Sequence, residues 1–228
     1  MASAPVQGSM RVARTTLRER TLEILRRAIL NQEFSPGQRL TERELCELTG
    51  VSRSCVREAI RGLESEHLVT NTPHKGPVVA KLSIEEAMQI YEVRAALESL
   101  AGEKFARAAT CAQLSMLAHS VEQYSEAIKS KHIGDVLATL DKFYETLFEG
   151  AGNRVAADVN RSLRARVRYL RATTARHHTA RDTARSVSSF RRIVRAAKAR
   201  DPRAAAQACT SQVEQAATIA KRILLALE

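Results

Sequence analysis

Three short helical periodicities, then a hairpin-like stretch, then helical spacing throughout residues 83–228 with no alternating strand pattern, predict a mainly α fold. The architecture expected is an N-terminal winged helix-turn-helix followed by a C-terminal all-α helical bundle. The 228 residues, 44% of them apolar, suffice for two cores of ordinary size. The first unit spans residues 15–82 and the second 83–228. Residues 1–14, "MASAPVQGSMRVAR", read as a disordered arm or an expression remnant and carry no fold argument.

From Thr15 to about Glu33, Leu17, Leu22, Ile24, Leu25, Ala28 and Ile29 recur at helical spacing, and "SPGQ" at 35–38 supplies a Pro-Gly turn that stops the helix. Thr41 opens "TERE", a capping-box pattern with Glu44, and starts a short helix that carries Leu45 and Leu48 and ends near Gly50. Ser52 caps the next helix, whose buried stripe is Val56, Ala59, Ile60 and Leu63. "HLVTNTPHKGPVVAKL", 67–82, reads as two short strands around a turn at Pro73 to Gly76. Six longer helices follow at about 84–109, 111–130, 133–150, 154–175, 183–199 and 202–227. Their start signals are "SIEE" at 83, "TCAQ" at 110, and Asp201 before Pro202.

The formal charge of +11 favours polyanionic partners without choosing among them. Residues 1–80 carry 12 basic and 9 acidic side chains, residues 81–158 carry 8 and 12, and residues 159–228 carry 16 and 4. Most of the excess therefore lies in the last third of the chain. Arg161, Arg164, Arg168 and Arg171 advance by three or four and share one helical face. That face is solvated on the ordinary reading; the sharper alternative is that some of these arginines point inward and hold an anionic ligand. Cys46, Cys55, Cys111 and Cys209 lack any zinc or C-x-x-C spacing, so small core thiols in a reducing cytoplasm are expected. No apolar run approaches the length of a membrane span, and no membrane partner is expected.

On a helical wheel Val56, Ala59, Ile60 and Leu63 cluster, while Arg53, Ser54, Arg57 and Arg61 fall on an adjoining outward arc. A helix fits the major groove of B-DNA, where arginine forks grip the O6 and N7 of guanine and hydroxyls reach bases or phosphates. Free N–H groups at the helix start, beside Ser52, suit a phosphate oxygen. A merely soluble surface is the competing reading. Gly50, the short helix before it and the basic turn "HKG" occur in the order that a DNA-reading head requires.

"SPGQRLTERELCELTGVSRSCVREAIRGLESEHLV…HKGPVV" resembles the DNA-binding domain of GntR-type bacterial transcription regulators across about 65 residues. By motif position, the resemblance implies operator contacts from Arg43, Ser52, Arg53, Arg57 and Gly76, with Ser54 and Lys75 as neighbours. The second unit is similar to the helical FCD domain of the FadR subfamily. "YEVRAALESLAGEKFA", 91–106, looks like its opening R-x-x-L-E helix, here Arg94, Leu97 and Glu98.

Many such domains hold a divalent metal through one Asp and three His, and those positions here carry Asp141, Tyr144, Ser189-Phe190 and Gln212. An arene cannot coordinate, and a phenol and an amide are weak ligands, so no metal and no cofactor are expected. His177 and His178, adjacent on a helix, diverge by about a hundred degrees and are expected to be exposed. A cavity persisting without metal would be lined by Arg94, Asp141, Tyr144, Asn153, Phe190 and Gln212. Arg94 has two readings: anchor for a ligand carboxylate, as the resemblance suggests, or structural partner of Asp141 or Glu98.

The resulting expectation is a cytoplasmic, homodimeric, sequence-specific DNA-binding regulator whose two heads contact half-sites of a near-palindromic double-stranded operator. Its bundle would sense a small anionic, carboxylate-bearing effector, with a repressor released by ligand as the commoner form. An architectural DNA binder whose bundle only dimerises is the alternative. An enzyme fused to a DNA-binding head is disfavoured, because no Ser/His/Asp or Cys/His arrangement, phosphate-binding glycine loop or acid–base carboxylate pair stands out.

Overall fold

The computed structural model describes residues 17–81, 83–130 and 132–227; the expected N-terminal arm and Leu82, at the boundary of the two units, lie outside these. Eleven elements occur among the described residues: α1 Leu17–Leu30, α2 Glu42–Thr49, α3 Arg53–Ser65, β1 Val69–Thr72, β2 Gly76–Val79, α4 Ile84–Ala108, α5 Cys111–Ser130, α6 Ile133–Gly150, α7 Arg154–Ala175, α8 Ala180–Lys198 and α9 Pro202–Leu225. The chain is mainly α, as its periodicity predicts.

Helix α2 ends because Gly50 adopts φ 67°, a left-handed geometry that glycine reaches without steric cost, and its N–H closes onto the Cys46 carbonyl. Two residues later the Ser52 side chain accepts from the Cys55 N–H, so α3 starts at once at a new angle. Val56, Ala59, Ile60 and Leu63 of α3 are buried with Leu25 and Ile29 of α1, Leu45 of α2 and Val69 and Val79 of the hairpin. Each large side chain removed from water there contributes roughly 1.5–3 kcal/mol.

The wing has more structure than the two strands expected. Beyond the Val69↔Val79 to Thr72↔Gly76 register, Arg39 bridges Val78, and the Val79 N–H donates to the Gln38 carbonyl at 2.8 Å. The "SPGQRL" stretch is thus both a turn and, at Arg39, an isolated bridge beside the two-stranded sheet, which Pro36-Gly37 concealed.

Helices α4 to α9 form the bundle. Gly102 permits a close crossing of α4 and α9: a Cβ there would stand 2.6 Å from the Cys209 sulfur and 3.0 Å from the Ala205 carbonyl oxygen of α9. Ser83, Thr110 and Asp201 cap their helices as their sequence signals indicate. Helix α8 starts at Ala180 and not near 183, because Thr179 and Asp182 form a full capping box. At Thr41 the box is half made: the Glu44 carboxylate accepts from the Thr41 hydroxyl and not from its backbone.

Head and bundle share packing. Leu137 of α6 and Tyr169 and Ala172 of α7 are buried within the apolar cluster of the head. The Tyr169 hydroxyl donates to the Ala80 carbonyl at 2.6 Å, and Arg176 donates to the Asn31 carbonyl at 2.6 Å. Of the cysteines, all free, Cys209 is buried, Cys46 and Cys55 are half-buried, and Cys111 is exposed, so Cys111 departs from the core role expected of it. No helix among the described residues is long and apolar enough to cross a membrane.

Candidate nucleic-acid interface and bundle cavity

Arg43, Ser52, Arg53, Ser54, Arg57 and Lys75 are all exposed, and Gly76 is half-buried at the wing turn. Ser52, Arg53, Ser54 and Arg57 lie on the first turns of α3, whose buried stripe fixes which way the rest of the helix faces. The hydroxyls of Ser52 and Ser54 are 3.0 Å apart. Gly76 takes φ 74°, and the Lys75 N–H donates to the Thr72 carbonyl at 3.1 Å, closing the turn that projects Lys75.

Sequence reasoning missed Glu42. Its carboxylate accepts both arms of the Arg57 fork, Nε at 2.9 Å and an Nη at 3.0 Å, so Arg57 is aimed by α2. The hydrogen bond from Arg57 holds the Glu42 carboxyl below its ordinary pKa, with the charges of Arg57 and Arg53 adding to the effect. Arg43 pairs with Glu47 at 3.1 Å, one turn along α2. Arg39, exposed on the wing edge, adds a cation that the sequence reading did not single out.

In the bundle, Arg94 is buried and bound at once: its Nε donates to Glu98 at 2.9 Å and an Nη to the Tyr144 hydroxyl at 3.2 Å. The structural-partner reading is therefore the one realised, with Glu98 and not Asp141. Burial opposes the Arg94 charge, but Glu98 and the neighbouring tyrosines outweigh it and keep its pKa above the ordinary value. The Tyr144 hydroxyl donates onward to Gln212 at 3.2 Å. Burial pushes the Tyr144 phenol well above its ordinary range.

Of the six residues expected to line one cavity, Arg94, Tyr144, Phe190 and Gln212 come together, but the six do not all border the same space. Arg94, Phe190 and Gln212 border a large cavity of about 1220 Å³ between α4 to α9. Asp141 and Tyr144, with Arg94 again, border a crevice of about 20 Å³. Asn153 lines neither: its side chain accepts from the Ala156 N–H and caps α7. Phe190 is chiefly a core residue, packed edge-on against Phe143 at 4.7 Å and Tyr124 at 5.3 Å. Asp141 forms an ion pair with Arg168; burial raises its pKa, partly offset by Arg168, Arg164 and Arg171.

The residues do not fit a divalent metal. Asp141 is neutralised by Arg168, Tyr144 already serves Arg94 and Gln212, and a dication would meet the Arg94 guanidinium. Among the described residues no three His, Cys, Asp or Glu side chains converge as a metal set. His177 is exposed as expected, but His178 is half-buried at the large cavity, where burial lowers its pKa.

The arginine series of α7 divides likewise. Arg161 pairs with Asp158, Arg164 with Glu145 and Arg168 with Asp141, while Arg171 stacks 4.8 Å over the Tyr144 ring and borders both cavities.

Comparison with known proteins adds the lineage. Residues 17–79 match the sequence profile of bacterial regulatory proteins of the gntR family, and residues 89–215, more than half of the chain, match that of the FCD domain. The chain belongs to the GntR family. Among GntR-type relatives, the HTH-type transcriptional regulator YdhC of Bacillus subtilis is 34% identical over 57% of this chain and 58% of its own length. The HTH-type transcriptional repressor RspR of Escherichia coli is 32% identical over 64% of this chain and 66% of its own. The chain thus spans less than two thirds of the length of these two relatives. The fold matches McbR/YncC of E. coli at a TM-score of 0.77 and 18% identity, covering 92% of this chain and 99% of that one. A GntR transcriptional regulator from Rhodococcus sp. RHA1 matches at 0.74 and 24%, covering 92% and 98%.

Proposed function

We propose that this GntR-family chain is a cytoplasmic, homodimeric, sequence-specific DNA-binding regulator, a repressor whose hold on DNA is set by an anionic small molecule in the bundle. One observation carries the reading. The N-terminal turns of α3 present Ser52, Arg53, Ser54 and Arg57 outward on a helix fixed by its buried opposite face, beside a wing that projects Lys75. In the major groove, Arg53 and Arg57 read guanine edges while Ser52, the free N–H groups of α3 and Lys75 meet phosphates. Arg43 and the Gly76 turn place α2 and the wing against the flanking backbone.

Two heads related by a two-fold axis would read the half-sites of a near-palindromic operator. The name of RspR as a repressor supports the direction of control. Residues 15–82 act as the reading head and 83–228 as the sensing and dimerising unit. Arg94, Asp141, Tyr144, Phe190 and Gln212 support the sensor, Arg94 by fixing its floor and not as a free anchor. The family supports a regulator over an enzyme.

Selection of bound duplexes from a random pool tests this. The expected product is an inverted repeat with guanine in each half-site, and Lys75→Ala weakens binding to all duplexes alike. A pool with no enriched sequence at physiological salt would contradict the reading.

A further inference from the structure

Most of the positive charge of this chain lies outside its reading head. Residues 1–80 carry 12 basic and 9 acidic side chains, and residues 159–228 carry 16 and 4. Within the head, Arg43, Arg57 and Arg61 are each paired with a glutamate. Helix α8 differs. Arg181, Arg185, Arg191, Arg192, Arg195 and Lys198 are all exposed, while its one carboxylate, Asp182, is buried and taken by Thr179 and Arg222. Arg181, Arg185, Arg192 and Arg195 recur at helical spacing and share one face, with Arg191 and Lys198 along its edge. Of these six, only Arg191 forms an ion pair within 4 Å among the described residues, with Glu122. From Arg181 to Lys198 the row runs about 25 Å, at 1.5 Å of rise per residue.

This row lies apart from the reading turn. Arg18 pairs with Glu58 and Arg26 with Glu66, so α1 and α3 run side by side in one direction. Arg176, just before α8, donates to the Asn31 carbonyl at the C-terminal end of α1. The row therefore starts at the end of the head opposite to the first turn of α3.

Length and chemistry select its partner. A small anion engages one or two cations of such a row and leaves the others idle. An acidic protein needs an apolar or aromatic centre to its interface, and a lipid surface needs apolar side chains to insert. Neither is offered: Val187, Phe190, Ile193 and Val194 of α8 are buried, and no large apolar side chain of this helix is exposed. A DNA duplex carries one negative charge per roughly 1.7 Å of its axis and can meet the whole row, and the guanidinium fork fits phosphate oxygens. We propose that the exposed face of α8 is a second duplex-binding surface, indifferent to sequence, which holds the phosphates of a stretch of DNA other than the one read by α3. It goes beyond the operator reading above and does not depend on it. Arg191, Arg192 and Arg195 also edge the bundle cavity, whereas Arg181, Arg185 and Lys198 do not, so these last three separate duplex binding from anything held in the cavity.

The test uses the full chain with its head disabled by Arg53→Ala, Arg57→Ala and Lys75→Ala, titrated with a random duplex of about 30 base pairs by fluorescence anisotropy at several salt concentrations. Binding persists in this protein. Adding Arg181→Gln, Arg185→Gln and Lys198→Gln weakens it at least tenfold at low salt, and the slope of log affinity on log salt becomes shallower by roughly two to three. Arg181→Lys with Arg185→Lys keeps the charge and retains the binding. With the head intact, immobilised operator captures a second, labelled random duplex, and the three Gln substitutions abolish that capture while operator is still bound. The first measurement needs no operator, so it decides the matter even where selection from a random pool enriches nothing. No duplex binding by the head-disabled protein, or binding unaltered by the three Gln substitutions, overturns the assignment. Poly-glutamate or phosphatidylglycerol vesicles held through the same three residues more tightly than duplex would give the face to an acidic protein or a membrane, and overturn it too.

Discussion

Arg57 shows how one side chain is prepared before it meets a partner. In the free protein its fork is closed on Glu42, which restricts the rotamers of a long side chain and aims it along α3. Such an exposed pair adds little to stability, and its effect falls on recognition instead. Glu42→Ala removes a negative charge from the reading face and frees Arg57. The expected outcome is tighter binding to random duplex with a smaller gap between the selected operator and random DNA, measured by fluorescence anisotropy on both. Exposure of the six polar contacts of the head was legible in the sequence, since a strong apolar stripe dictates what lies opposite. Asn153 was not, because an asparagine before a helix satisfies a cap and a cavity wall equally well on paper. The pairing of Asp141 with Arg168, away from the cavity that Phe190 and Gln212 border, also escaped, since helical spacing gives a shared face but not what packs beneath it.

At the scale of single elements, most helix starts were legible because caps are local: Ser52, Ser83, Thr110 and Asp201 each meet an N–H three residues on. Helix α8 was read three residues late because Asp182 takes the place of the usual Glu or Gln in its box. Burial alone would raise the Asp182 carboxyl, but hydrogen bonds from the Thr179 N–H and hydroxyl and from Arg222 outweigh it and hold its pKa at about 2. An acid whose pKa is lowered by folding stabilises the native state above its unfolded pKa of roughly 3.9, and that stabilisation disappears as pH falls toward the folded value. Thermal midpoints measured from pH 5 to pH 2 therefore decline in the parent. In Asp182→Asn the midpoint is lower at pH 5, and the gap to the parent narrows toward pH 2. The bridge from Arg39 to the wing was illegible because Arg39 pairs through its backbone, which leaves no trace in side-chain alternation.

Across the whole molecule, α7 joins the two units. Tyr169 and Ala172 are buried in the core of the head, while Arg171, between them in sequence, borders the bundle cavity. Any ligand held in that cavity would lie one helix away from the head, and could bias the head only by binding one arrangement of α7 more tightly than another. The order of two units was readable from a change in periodicity near residue 83, but their shared core was not, since contacts far apart in sequence carry no local pattern. Tyr169→Phe keeps the ring and removes the donor to Ala80. It is expected to lower stability by about 1–3 kcal/mol in urea titrations and to weaken the effect of a bound ligand on DNA affinity.

The central claim, that guanidinium groups at the start of α3 read base edges, is tested most directly by crossing protein and operator substitutions. Parent, Arg53→Ala and Arg57→Ala are each titrated with the selected duplex and with duplexes carrying adenine for one guanine per half-site. Each variant should bind the selected duplex roughly tenfold to a hundredfold more weakly and lose the discrimination at one guanine position that the parent retains. Discrimination identical in all three proteins at every guanine would contradict the account.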